Sequence, residues 1–215
     1  MRRSGWRTEG SECYVAQVDF QEARNLADRA SIHQDLSFVV DGLSRLLRLL
    51  QNDDEDTVVQ QSLWTAALVT YTRCFATGKR LGLSEDILQT QEWEGDDPIK
   101  CHRYYRNLRD KHIAHSVNPF EEVAVGLVLS PPDAQTRQVE GVAVLSRKLM
   151  FPSAEGVRTL LNLASCARRE IASRAEALTD ETLQAGRRFP IDDLYSRPPM
   201  RSNTPGRDDA SRPRE

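Results

Sequence analysis

The run YYRNLRDKHIAHS, Tyr104 to Ser116, is the one place in the chain where guanidinium, imidazole, amide and carboxylate side chains crowd together. An imidazole titrates near neutrality and can take or give a proton, while the always-charged arginine fork can grip two phosphate oxygens at once. Two overlapping sets share one spacing. Arg109, with Asp110 beside it, lies six positions before His115, and Arg106, with Asn107 beside it, lies six positions before His112. At about 100° per residue, side chains six apart on a helix point roughly 120° from one another, so neither pair need converge within one chain.

The run RDKHIAHS resembles the motif of HEPN domains, in which an arginine and a neighbouring polar residue precede a histidine that a small residue often follows. Arg109, Asp110 and His115 fit that pattern, with Ala114-His115-Ser116 matching its usual ending; Arg106, Asn107 and His112 fit it in the overlapping register. The likeness extends loosely to the helical layout from about Leu36 to Leu178. It implies an endoribonuclease that needs no metal or other cofactor, acting as a toxin or as a phage-defence or stress effector. In that chemistry the histidine handles the ribose 2′-hydroxyl proton and the arginine neutralises charge on the scissile phosphate, with Asp110 or Asn107 orienting one of them. The resemblance also implies a homodimer that sets two motifs side by side, RNA as the partner, and a separate antitoxin, which several members pair with and which nothing in this chain resembles. Many such likenesses outlast activity, so a catalytically inactive HEPN-like dimer that binds nucleotide, RNA or a protein stands beside this reading. A plain helical interaction module stands behind both.

Each candidate residue also has an ordinary explanation. Cations complement the carbonyl end of a helix, which alone accounts for Lys111, His112 and His115. Lys111, Arg73 and Tyr105 are the candidate RNA contacts. Surface solvation or an ion pair is the competing role for Arg73 and for Lys79-Arg80, and one of Tyr104 and Tyr105 belongs in a core rather than on a base. Cys101, His102, His112 and His115 match no standard zinc spacing, so no metal site is expected.

The elements that must position these groups are helical. Leu36, Val39, Val40, Leu43, Leu46, Leu47 and Leu50 recur at three-and-four spacing, marking a helix that begins near Asp19 and ends before the acidic run Asp53-Asp54-Glu55-Asp56. Those carboxylates suit the start of the next helix, which is apolar on most sides from Thr57 to about Thr77, holds Trp64 in the core and closes at Gly78. Ser84 opens a short helix through Leu88, and Gln89 to Gly95 is a polar loop. Asp97-Pro98 opens the motif helix, which runs to near His115 before Asn118-Pro119. Two Val- and Leu-rich stretches, Glu122 to Ser130 and Gln138 to Phe151, flank Pro131-Pro132-Asp133 and predict a β-hairpin inserted at about 121–151. Ser153 then caps a closing helix carrying Val157, Leu160, Leu161, Ala164, Ala167, Ile171 and Ala175 on one face.

The fold class expected is therefore mostly α: an antiparallel helical bundle over 19–188 with an inserted hairpin, a flexible segment over 1–18 and a disordered tail over 189–215. With 39% hydrophobic and 28% charged residues the chain should fold, and a net charge of −3 gives no global pull on polyanions. Four scattered cysteines without a CxxC pair, no apolar stretch after the N-terminal arginines and no span-length apolar run predict a cytoplasmic protein without a membrane role.

Overall fold

A computed structural model describes residues 7–8, 11–52, 56–78, 80–89, 96–113, 121–148 and 153–200. In chain order these form β1 (Arg7–Thr8), β2 (Ser11–Glu12), α1 (Gln21–Gln51), α2 (Thr57–Cys74), a 3-10 turn (Glu85–Gln89), α3 (Pro98–Leu108), a π-helical turn (Arg109–Ile113), β3 (Glu121–Leu129), β4 (Val139–Lys148), α4 (Ala154–Gly186) and α5 (Ile191–Tyr195). The fold is mostly helical with an inserted antiparallel hairpin. Among the described residues no helix is long and apolar enough to cross a membrane.

Local chemistry starts the helices where their sequences say it should. Asp56 accepts from the Val59 N–H at 3.0 Å, making the last carboxylate of the acidic run the cap of α2. Asp97 accepts from the Ile99 N–H at 2.9 Å, and Pro98 fills the first turn of α3, where its missing N–H leaves no bond unmade. Ser153 Oγ accepts from the Gly156 N–H at 3.3 Å at the start of α4.

The chain divides into two units. One comprises 32–77 and 82–171. Its core takes Ile32, Leu36, Val39, Leu43 and Leu46 from the stripe of α1, Trp64, Leu68 and Tyr71 from α2, and Leu160, Leu163, Ala167 and Ile171 from α4, all buried. Such burial is the dominant favourable term in folding. After α2 the chain turns back tightly, with the Leu83 N–H donating to the Cys74 carbonyl at 2.8 Å. A Cβ on Gly82 would run into the carbonyl oxygen of Ala76, so only glycine fits that approach.

The other unit comprises 1–31, 78–81 and 172–215. After Phe189 the chain forms α5, and residues 198–200 run antiparallel to 15–17: the Gln17 N–H donates to the Pro198 carbonyl at 2.9 Å and the Met200 N–H to the Val15 carbonyl at 2.7 Å. Phe20 stacks on Phe189 with centroids 5.7 Å apart, Arg197 lies 4.9 Å over the Phe189 ring, and Tyr14 meets Tyr195 at 5.8 Å. A few aromatic anchors hold a segment whose average composition is polar. Residues 201–215 and 1–6 lie outside the described residues.

Candidate functional site

Along α3 the residues His102, Tyr105 and Leu108 are buried, so one side of the helix is fixed in the core and the arginines are carried outward. The helix then changes winding. Arg109 closes α3 with its backbone N–H shared between the Tyr105 and Arg106 carbonyls, and the next residues form i→i+5 bonds as far as Ile113. A single π turn of this kind is uncommon and recurs at functional sites. It packs against α2. The wider winding departs from 100° per residue, so the 120° divergence inferred from a continuous α-helix does not carry over to Arg109 and the residues beyond it.

On that turn the Arg109 Nη1 lies 2.6 Å from Asp110 Oδ1, an ion pair between sequence neighbours, with the arginine side chain one-third exposed. Asn107 and Lys111 are exposed. The backbone of His112 lies within the π turn, while its side chain and the whole of Ala114, His115 and Ser116 lie outside the described residues. The structure therefore joins the arginine and the acid of the Arg109–His115 register.

The other arginine is held differently. Arg106 Nη1 reaches Glu85 Oε1 at 3.3 Å, and Arg103 grips Glu85 Oε2 with Nε at 3.0 Å and Nη2 at 2.9 Å. Burial raises the Glu85 carboxyl, but the hydrogen bond and charge of Arg103, with His102 and Arg106, outweigh it and hold the group below its usual range. Under this clamp sits His102, fully buried, with Nδ1 2.9 Å from the Tyr71 hydroxyl, its ring 4.3 Å from Phe75, and Nε2 3.7 Å from Glu85 Oε1 without a hydrogen-bond partner. Desolvation lowers His102 to about 4; Glu85 pulls it up, and Arg106 and Arg103 push it down. His102 is neutral at neutral pH. Burial and neighbouring weak acids hold the Tyr71 hydroxyl protonated; it either donates to Nδ1, with the ring proton then on Nε2 facing the carboxylate, or accepts from Nδ1–H in the other tautomer.

The remaining candidates separate. Arg73 Nη2 pairs with Asp35 Oδ1 at 2.6 Å on an exposed surface. Tyr105 is corrected as a base-stacking residue: it is 2% exposed, donates its hydroxyl to the Gly156 carbonyl at 2.6 Å, and packs edge-on to Trp64, while its neighbour Tyr104 is 46% exposed. Adjacent helix positions point about 100° apart, so only one of the two tyrosines could face inward. On the side of α3 away from Glu85, a cavity of about 490 Å³ is lined by Asp97, Lys100, Cys101, Tyr104, Glu155 and Thr159, among others. Burial, with Asp96 and Asp97, raises the Cys101 thiol, which disfavours its nucleophilic form. Among the described residues no group of three or more His, Cys, Asp or Glu side chains is placed to hold a metal ion.

Sequence reasoning missed Glu85 and Arg103. The i, i+3 spacing of Arg103 and Arg106 was a visible sign of a shared partner, but the carboxylate that joins them lies 18 and 21 residues away. The chain matches no family model, no curated protein and no solved structure.

Proposed function

We propose that this protein is a metal-independent endoribonuclease of HEPN type, acting as a toxin or as a phage-defence or stress effector through a composite site in a homodimer. The observation that supports it is the Arg109–Asp110 pair at 2.6 Å, borne on a π turn at the end of the helix that carries the motif. A carboxylate at one side of the guanidinium fixes its direction while leaving other N–H donors for phosphate oxygens. His115 takes the proton of the ribose 2′-hydroxyl, the 2′-oxygen bonds to phosphorus, and the P–O5′ bond breaks. Arg109 stabilises the charge on the phosphoryl oxygens, and the departing 5′-oxygen takes up a proton from water. Pairing two copies brings a second motif to the site, and a separate antitoxin would restrain it.

The test is incubation of purified protein with RNA in EDTA, followed by analysis of product ends. Products ending in 2′,3′-cyclic phosphate agree with this chemistry, and 5′-phosphate products that vanish in EDTA exclude it.

A second reading, the catalytically inactive HEPN-like binding module, is favoured by one observation. Arg103 and Arg106 are engaged with Glu85 and Arg73 with Asp35, so much of the local positive charge is already neutralised within the chain. No cleavage together with measurable RNA or nucleotide binding would select it.

A further inference from the structure

The hairpin of β3 and β4 is sorted by face. Its register sets Val123 opposite Ser146, Val125 opposite Val144 and Leu127 opposite Val142, and an irregularity after Val128 brings Leu129 opposite Val139. Directly opposed residues of an antiparallel pair share a face and successive residues alternate, so Val123, Val125, Leu127, Leu129, Val139, Val142 and Val144 all stand on one side. The irregularity matters here. Without it Glu140, not Val139, would join that side, because a one-residue slip exchanges faces. The opposite face takes Ala124, Gly126, Ala143 and Gly141, small residues joined by Val128 and Leu145.

Among the described residues nothing covers the large-residue face. Its seven aliphatic residues are between 59% and 70% exposed. Together they present on the order of 700 Å², more than the few hundred Å² usual for an apolar patch on a monomer. An isolated two-stranded hairpin is marginal in water and gains lasting order by packing against something.

We infer that this face is a homotypic interface on which the same face of a second copy of this chain is seated. Two observations select that occupant, and sheet geometry accommodates it. The face has no charged residue among its four opposed pairs from Val123 to Val139, so two copies meet without like-charge repulsion despite the net charge of −3. The exposed apolar area approaches the roughly 800 Å² per partner that a standard interface buries. Two twisted sheets stack face to face about 10 Å apart with their inner side chains interleaved, and a two-fold axis makes such a contact self-complementary. The result is a four-stranded sandwich made of two hairpins. This contact is separate from the motif-borne pairing of the proposed ribonuclease and does not depend on that reading.

The experiment is sedimentation velocity on the full chain over a concentration series, comparing the wild type with Val125→Lys/Val144→Lys, Val125→Thr/Val144→Thr and Ala124→Lys/Ala143→Lys. Threonine keeps the branched shape and strand preference of valine, so it tests the interface with the hairpin retained. Wild type should associate reversibly with rising concentration. The lysine pair on the large-residue face should weaken this association more than about tenfold, the threonine pair less but in the same direction, and the lysine pair on the small-residue face hardly at all. A wild type that sediments as a monomer throughout, or equal weakening by the two lysine pairs, overturns the inference. Circular dichroism of each variant keeps the comparison among folded proteins.

Discussion

The Tyr71 hydroxyl and His102 Nδ1 lie 2.9 Å apart in the core, and the other nitrogen of that buried ring faces Glu85 at 3.7 Å without a hydrogen bond. A neutral imidazole is at home there and an imidazolium is not, because desolvation and the two arginines outweigh the attraction of Glu85. The same ring therefore links α2 to α3 and couples their packing to pH.

The sign of that coupling follows from the lowered value. An unfolded chain protonates this histidine near pH 6.5, whereas the folded chain does so only at about 4. Between those values the unfolded state binds the extra proton. The stability supplied by His102 is thus fully present above about pH 6.5 and is lost progressively toward pH 4, up to about 3 kcal/mol in all. Glu85 acts in the same direction at lower pH, since its depressed carboxyl contributes above the ordinary carboxylate range and that contribution disappears as the folded group is protonated. Urea midpoints should fall steadily between about pH 6.5 and pH 4. His102→Phe should flatten that slope, at a neutral-pH cost of about 1–3 kcal/mol for the Tyr71 hydroxyl left without a partner. An unaltered slope in the variant would assign the acid sensitivity to other groups.

The turn after α2 offers a steric test. Gly82→Ala places a methyl against the backbone carbonyl of Ala76, a neighbour that cannot swing away as a side chain tip could. The turn must open, which strains the Leu83 N–H bond to the Cys74 carbonyl. A loss of about 1–3 kcal/mol is expected from equilibrium denaturation. Gly78→Ala, with open space around the added carbon, is the matched control for the lost conformational freedom of glycine.

Much of the helical layout was legible because burial imposes a period. The stripe Leu36, Val39, Leu43, Leu46 and Leu47 is buried in the order its spacing implies, and Asp97-Pro98 and Ser153 open helices because their caps are local chemistry. The hairpin was legible from its valine-rich strands. Three features were not. The π turn depends on how Arg109–Ile113 packs on α2, and no residue type encodes i→i+5 winding. Glu85 meets Arg103 and Arg106 only after the chain has folded back. The docked segment 189–200 is polar on average, and averaging conceals the few rings that anchor it.

That last feature makes a truncation informative. A chain ending at Arg188 loses the Phe20–Phe189 stack, the Arg197 contact with Phe189, the Tyr14–Tyr195 contact and the backbone bonds to Val15 and Gln17. Aromatic contacts of this kind contribute about 0.5–1.5 kcal/mol each beyond their buried area. Calorimetry should show a melting temperature lower by several degrees than that of a chain ending at Met200. Identical melting of the two would mean that the segment adds no stability where it lies.

The ribonuclease reading stands or falls on the motif variants. Arg109→Ala should abolish RNA cleavage without unfolding the chain, because its guanidinium is partly exposed and its described ion partner, Asp110, is more exposed still. Arg109→Lys should be nearly as damaging, since an ammonium cannot supply the planar fork that spans two phosphate oxygens. Asp110→Asn should be milder, keeping a hydrogen-bond acceptor for Arg109 while removing the charge that fixes it. His115→Ala should be inactive, because water at the vacated position lacks a base that titrates near neutrality. The overlapping register gives the opposite pattern, in which His112→Ala is dead and His115→Ala cuts. Arg106 distinguishes the two further. Its contact with Glu85 predicts that Arg106→Ala changes stability more than turnover, whereas a working Arg106 would lose activity with little change in melting. Single-turnover cleavage and thermal melting on the same samples separate these outcomes. Full activity in both Arg109→Ala and His115→Ala, together with full activity in both Arg106→Ala and His112→Ala, would remove the motif from the chemistry.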